Sequence, residues 1–243
     1  MQLALVPVVE EAAVWGPAIS MLRDEGIEVV SGMLATVGED YSTLQSIAAT
    51  GGVRPDATWP QTLSRAARVA DAAGESGIPL VTFHAGFIPH AASDPSREVL
   101  VERLRTVVDL FAARRVEVAF ETGQEEADTL LLALDDLRRP RAGVNFDPAN
   151  MVLYGMGDPI AALRKLAPRV RQVHIKDARP SAARGEWGTE VVAGTGSVDW
   201  SAFFGAVDAL DPPVDLVIER EAGESREADI RAAIELVRRH RSP

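Results

Sequence analysis

The chain has 243 residues, 47% hydrophobic and 25% charged, which at about 150 residues per domain means one large α/β domain or two small ones around a sizeable core. Lys plus Arg number 25 against 36 Asp plus Glu, and the net charge of -11 repels phosphate backbones and anionic membranes, excluding nonspecific nucleic-acid binding. Cysteine is absent, which rules out disulfides, thiolate-bound metal and a thiol nucleophile, so any metal must be held by His and carboxylates.

Residues 1–11 lack the basic region of a signal peptide, and acids end their short apolar run, so they read as mature structure. No apolar run approaches the roughly 18 residues of a membrane helix, and the expected location is the cytoplasm.

Along the chain, short Val- and Ile-rich runs alternate with longer segments of helical period. Strands are predicted over residues 3–8, 27–31, 80–84, 116–121, 143–147, 172–174 and 216–219. Helices are predicted over residues 12–24, 59–76, 96–114, 124–137, 159–166, 200–210 and 227–239. Acids open the last helix and bases close it, matching its dipole. Segments 38–56 and 177–198 are the least regular, and both follow strands.

Strict β-α alternation implies a parallel sheet with helices on its faces, either doubly wound or a (β/α)8 barrel. A doubly wound nucleotide fold would concentrate glycines after its first strand, yet neither G-x-G-x-x-G nor G-x-x-x-x-G-K-[ST] occurs. Polar residues instead end many strands, the way barrel enzymes build a site on the carboxyl face. The expected fold is a single (β/α)8 TIM barrel over residues 1–243, with segments 38–56 and 177–198 overhanging its mouth.

Four strand ends carry ligand-type side chains. Alternation puts Glu117, Ala119 and Glu121 on one face and Val116, Val118 and Phe120 on the other. Asp147, His174 and Glu219 repeat this arrangement at the ends of later strands. Each alone is as readily a helix cap, a loop acceptor or a structural histidine. Together, one per strand, three carboxylates and an imidazole form a set suited to Mn²⁺, Mg²⁺, Co²⁺ or Zn²⁺.

The runs Phe120-Glu121-Thr122-Gly123-Gln124, Asn145-Phe146-Asp147-Pro148-Ala149-Asn150, Val173-His174-Ile175-Lys176-Asp177 and Ile218-Glu219-Arg220-Glu221 resemble, in family order, the strand-end motifs of the xylose isomerase-like superfamily of sugar phosphate isomerases and epimerases. The resemblance runs from about Leu80 to the C-terminus. It implies one divalent metal on Glu121, Asp147, His174 and Glu219, with Glu121 and Glu219 also exchanging protons with substrate. It also implies substrate contact for His84. Asn150 stands where several sugar epimerases carry a His, a departure from the pattern; it is grouped with His84, Lys176 and Trp187 as substrate-binding. Lys176 neutralises an oxyanion or a phosphate, or else pairs with Asp177 or Glu219. Trp187 stacks on a sugar ring or anchors its loop. Arg220 alternates away from Glu219 and reads as structural. His90 lies in a loop, His240 reads as a solvated helix end, and Ser197 or Asp199 as an N-cap.

A proton on carbon next to a carbonyl is too weakly acidic for an unaided carboxylate, but a chelating metal stabilises the enediolate as it forms. The expected activity is a metal-dependent sugar isomerase or epimerase acting on a keto-sugar, polyol or related carbohydrate. The alternatives are a lyase or dehydratase acting on a keto-sugar or inosose, a phosphodiesterase like the apurinic-type endonucleases, and a barrel without activity. The endonuclease-type trinuclear zinc site needs more histidines than the four here. The expected partners are a carbohydrate substrate and a second copy in a homo-oligomer. Relatives implied by the resemblance carry one more strand and helix ahead of residue 3, so either the first β/α unit is lacking or truncated or Met1 is not the biological start.

Overall fold

A computed structural model describes residues 1–91, 93–183 and 186–241. They fall into two compact units, Met1–Glu121 with Leu132–Gly143, and Thr122–Leu131 with the chain from Val144 onward.

The first unit carries β1 (Gln2–Ala4), α1 (Leu5–Glu10), α2 (Ala12–Trp15), α3 (Ala18–Asp24), β2 (Ser31–Met33), α4 (Leu44–Thr50), α5 (Trp59–Glu75), β3 (Leu80–Phe83), α6 (Pro95–Ala112) and β4 (Glu117–Glu121). Its strands pair in parallel in sequence order, Gln2 opposite Ser31, Met33 opposite Thr82 and Thr82 opposite Ala119. Helix α6 starts where Asp94 accepts the Ser96 N–H, with Pro95 in the first turn. It buries Leu100, Leu104, Val107 and Phe111 at three- and four-residue spacing. Behind it, α5 is lined with Ala66, Val69, Ala70 and Ala73, small enough for two helices to pack closely.

Helix α7 (Ala127–Leu137) leads to β5 (Ala142–Phe146). There follow α8 (Pro148–Tyr154), α9 (Pro159–Leu166), β6 (Val170–Ile175), β7 (Asp177–Arg179), β8 (Thr189–Val191), α10 (Trp200–Val207), β9 (Asp215–Ile218) and α11 (Arg226–Arg241). In this second unit β5, β6 and β9 are parallel, with Asn145 opposite Gln172 and His174 opposite Val217. Strands β3 and β5 are buried along their whole length, as expected of parallel strands covered on both faces.

Four sequence expectations are corrected. The run 3–8 is a strand only to Ala4 and then becomes α1, whose Leu5 and Val8 are buried. Pro7 has no N–H to give a ladder but sits harmlessly in a first helical turn, where such donors are orphaned anyway. Leu5 fills the space over Gly32, where a Cβ would fall 2.2 Å from Leu5 Cδ1. The run 27–31 enters the sheet only at Ser31, because pairing starts where β1 starts. The segments expected to be irregular both contain structure. Segment 38–56 holds α4, capped reciprocally by Thr43 and Ser46. Segment 177–198 holds the antiparallel hairpin of β7 and β8, apart from residues 184 and 185, which lie outside the described residues.

Asp177 organises that second segment. Its buried carboxylate accepts the N–H groups of Gly194 and Gly196, both at 2.9 Å, of Val198 at 3.2 Å, and the Trp200 indole N–H at 3.0 Å. Trp200 in turn packs edge-on against Phe203, which lies near Phe146. Asp177→Ala strands these donors and should cost about 3 kcal/mol, a fall of roughly 6–12 °C in Tm. Asp199→Ala, which removes only the α10 cap, should cost about 1 kcal/mol. Equal losses in thermal unfolding would refute the clamp.

Candidate metal centre

Within the second unit, Asp147 follows β5 directly, His174 lies near the end of β6, and Glu219 follows β9. The Glu219 N–H donates to the Ile175 carbonyl at 3.3 Å, one ladder step beyond β9, which sets Glu219 beside β6. All three offer ligand atoms within 4.8 Å of one another.

Asp147 divides its carboxylate between two tasks. Oδ1 accepts the Asn150 N–H at 2.9 Å and caps α8, while Oδ2 lies 3.3 Å from His174 Nδ1. Its backbone is locked by Thr122, whose Oγ1 accepts the Asp147 N–H at 2.8 Å and donates to the Asp147 carbonyl at 3.0 Å. His174 Nδ1 is also 3.4 Å from Glu219 Oε2. Ligands about 2.1 Å from one ion at tetrahedral to octahedral angles stand roughly 3.0–3.4 Å apart, so these spacings fit a shared cation.

A second layer holds the imidazole. Asn145 Nδ2 lies 3.1 Å from His174 Nε2, and Gln172 Nε2 donates to Asn145 Oδ1 at 3.2 Å. A neutral His174 that ligates through Nδ1 carries its proton on Nε2, and the Asn145 amide supplies the acceptor in one of its two orientations. Asn145 and Gln172 were missed in the sequence. The available signal was period-two alternation, which places each one two residues before Asp147 or His174 on the same face.

Lys176 is 1% exposed, and its Nζ lies 2.8 Å from Glu219 Oε2, 2.5 Å from Glu221 Oε2 and 3.9 Å from Asp147 Oδ2. Of the expected roles, this is pairing with Glu219. Burial alone would push the Glu219 carboxyl up, but His174 and Lys176 outweigh it and hold the group well below the usual carboxylate range. Arg220 points away, as alternation required, and bonds to Glu190 at 2.7 Å and Asp229 at 2.9 Å.

Asn150 is buried in α8. Trp187 meets Tyr154 edge-on at 4.8 Å, an anchoring contact, while its indole N–H is buried with no hydrogen-bond partner among the described residues. His240 is not simply solvated, because its ring stacks on Phe204 at 4.8 Å.

In the first unit, Glu121 is the buried last residue of β4, and its Oε1 lies 3.8 Å from His84 Nε2. The other ring nitrogen of His84, Nδ1, is buried without a hydrogen-bond partner. His90 is exposed. Glu121 precedes Thr122, the residue that locks Asp147.

A family profile described as xylose isomerase-like TIM barrel matches residues 11–240. The chain belongs to that family. Its fold class is therefore the (β/α)8 barrel that the β-α alternation predicted. A xylose isomerase domain protein from Planctomyces limnophilus is 36% identical over 93% of this chain and 82% of its own, with a TM-score of 0.89. A probable 3-DHS dehydratase from Bacillus anthracis superposes at TM-score 0.70 with 17% identity, covering 98% of this chain and 86% of its own. The Escherichia coli 3-keto-D-glucoside 4-epimerase does so at TM-score 0.67 with 16% identity, covering 96% and 85%. Comparison with curated proteins finds no match. Solved members of the superfamily thus include sugar epimerases as well as dehydratases.

The segment between β4 and α7 also holds a buried titratable group, Glu125. Glu125 is 4% exposed, and burial pushes its carboxyl up to about 8. A raised folded-state value stabilises the protein below the unfolded pKa near 4.5, and that contribution is lost as pH rises through 8. Wild type should therefore lose stability in urea melts between pH 5 and 9, and Glu125→Gln should lose markedly less. Parallel losses would show that the carboxyl titrates normally.

Proposed function

We propose that the protein is a divalent-metal-dependent isomerase or epimerase of a keto-sugar, polyol or related carbohydrate, its metal held by Asp147, His174, Glu219 and Glu121. The observation that carries this reading is the convergence of two carboxylates with His174 Nδ1, at 3.3 and 3.4 Å, on one buried point at strand ends. Glu121 is proposed as the fourth ligand because the family resemblance of its strand-end motif implies that role.

A bound Mn²⁺, Mg²⁺, Co²⁺ or Zn²⁺ would polarise a substrate carbonyl and acidify the neighbouring C–H. The residues supply the rest. Glu219 is kept ionised beside Lys176, which suits it as a metal ligand, and it would serve as one proton carrier. Glu121 serves as the second proton carrier, and His84 beside it offers its buried Nδ1 to a substrate hydroxyl. Asn150 and Trp187 line the approach. Two carriers on opposite faces of the substrate give epimerisation, and one face alone gives isomerisation. A single-ion site also favours this reading over a phosphodiesterase with a metal cluster, since His90 is exposed and His240 is committed to Phe204.

A second reading is a dehydratase, favoured by the Bacillus anthracis structure, in which the same base removes the proton and a β-hydroxyl leaves. Incubation with keto-sugars in D₂O should incorporate deuterium into substrate or product without loss of water. Loss of water would establish the dehydratase.

Elemental analysis should find about one divalent ion per chain, reduced at least about tenfold in occupancy by His174→Ala and by Glu219→Gln. Wild-type protein that stays metal-free after incubation with all four ions would overturn the reading.

A further inference from the structure

A buried ammonium beside a metal centre looks at first like an anchor for a phosphate or carboxylate on the substrate. Its surroundings argue the reverse. Lys176 is 1% exposed and is engaged on two sides by carboxylates, Glu219 at 2.8 Å and Glu221 at 2.5 Å. Glu219 is a proposed metal ligand. Glu221 has no such task, and its side chain is 69% exposed. A glutamate that stays largely in water yet reaches a buried ammonium caps that charge from the solvent side.

The cap is built in. Glu190, only 7% exposed at its side chain, accepts the Glu221 N–H through Oε1 at 3.1 Å and the Ala222 N–H through Oε2 at 3.1 Å. Glu190 also bonds to Arg220, which Asp229 holds from α11. The backbone carrying Glu221 is therefore fixed where its side chain meets Lys176.

The local charges disfavour a further anion. Asp147, Glu219 and Glu221, with Glu121 of the proposed ligand set, carry four negative charges against the one positive charge of Lys176, and a single divalent cation still leaves the group one negative charge. Among the described residues, the other cations following β6 and β9 near these strand ends are also committed. Arg179 donates to the Thr195 carbonyl at 2.8 Å, and Arg220 to Glu190 and Asp229. Among the described residues, no cation near these strand ends is left to meet an anionic substituent, whose desolvation would go uncompensated.

We propose that the Glu221–Lys176 pair is a specificity device that makes the site accept uncharged polyhydroxylated substrates and reject their phosphorylated or carboxylated counterparts. The inference rests on the metal-dependent sugar reading above. Removing the Glu221 charge should turn Lys176 into an anion-binding group.

Inorganic phosphate is a direct probe. Its binding is measured by calorimetry on the full chain, with and without Mn²⁺, for wild type, Glu221→Gln and the double variant Lys176→Met/Glu221→Gln, with metal content determined on the same samples. Wild type should bind phosphate weakly. Glu221→Gln should bind it about tenfold more tightly, the size of one charge-assisted contact, and the double variant should return to the wild-type level. The gain comes from Lys176 and should appear with or without Mn²⁺. Failure to load metal would therefore sink the metal reading without touching this one. Wild type binding phosphate as tightly as Glu221→Gln, or a gain that survives in the double variant, would overturn the proposal.

Discussion

The second unit is organised around one electrostatic constraint, the placing of several carboxylates and an imidazole within a few ångströms of each other out of water. Buried acids repel one another, and desolvation alone would protonate them. Glu219 shows how the constraint is met. Lys176 and His174 face it from the neighbouring strand and hold it ionised despite its burial. A site kept anionic in this way is prepared for a cation, whereas a site neutralised by protonation would have to lose protons before binding one.

The parallel sheet makes that arrangement achievable. Side chains alternate along a strand, and neighbouring parallel strands run in register, so a residue two positions before a ligand lies on the same face one layer deeper. Asn145 and Gln172 occupy that layer beneath Asp147 and His174, and they hold the far nitrogen of the imidazole. The connections after the strands are anchored with equal care. Asp177 gathers the 194–200 turn, and Glu190 with Arg220 and Asp229 fixes the 219–222 turn. Both turns are tied by buried or half-buried carboxylates to rigid elements, which suits loops that must present side chains at fixed positions.

Much of this was legible in the sequence, and the unread parts share a physical reason. Asp147, His174 and Glu219 could be picked out because a polar residue ending an apolar strand is conspicuous and strand period is local information. Arg220 was assigned to structure by the same alternation, and of the two cap candidates, Ser197 and Asp199, it is Asp199 that caps α10. Three features depended on long-range partners and could not be seen. The Val-rich run 5–9 looks like strand, but its conformation is decided by what Leu5 covers at Gly32. The hairpin of β7 and β8 was hidden in a polar segment because what orders it is one aspartate contacting residues 17 to 23 positions away. Lys176 could be read as an anion anchor or as a counter-ion, and only the position of Glu221 separates the two.

That last case bears on how function is read from family membership. Epimerases and dehydratases share this barrel, so the metal ligands alone do not tell which substrates enter. The ligands are satisfied identically by a neutral polyol and by an acid, since both offer chelating oxygens. What differs is the charge left over once the ligands are counted, and that is set by residues outside the ligand set. Here the residue two positions after Glu219 supplies the compensating carboxylate, its backbone held by Glu190 on the β8 strand of the hairpin. On the proposed reading, the loops that follow the strands set which substrates enter, while the strand ends supply the side chains offered to a metal.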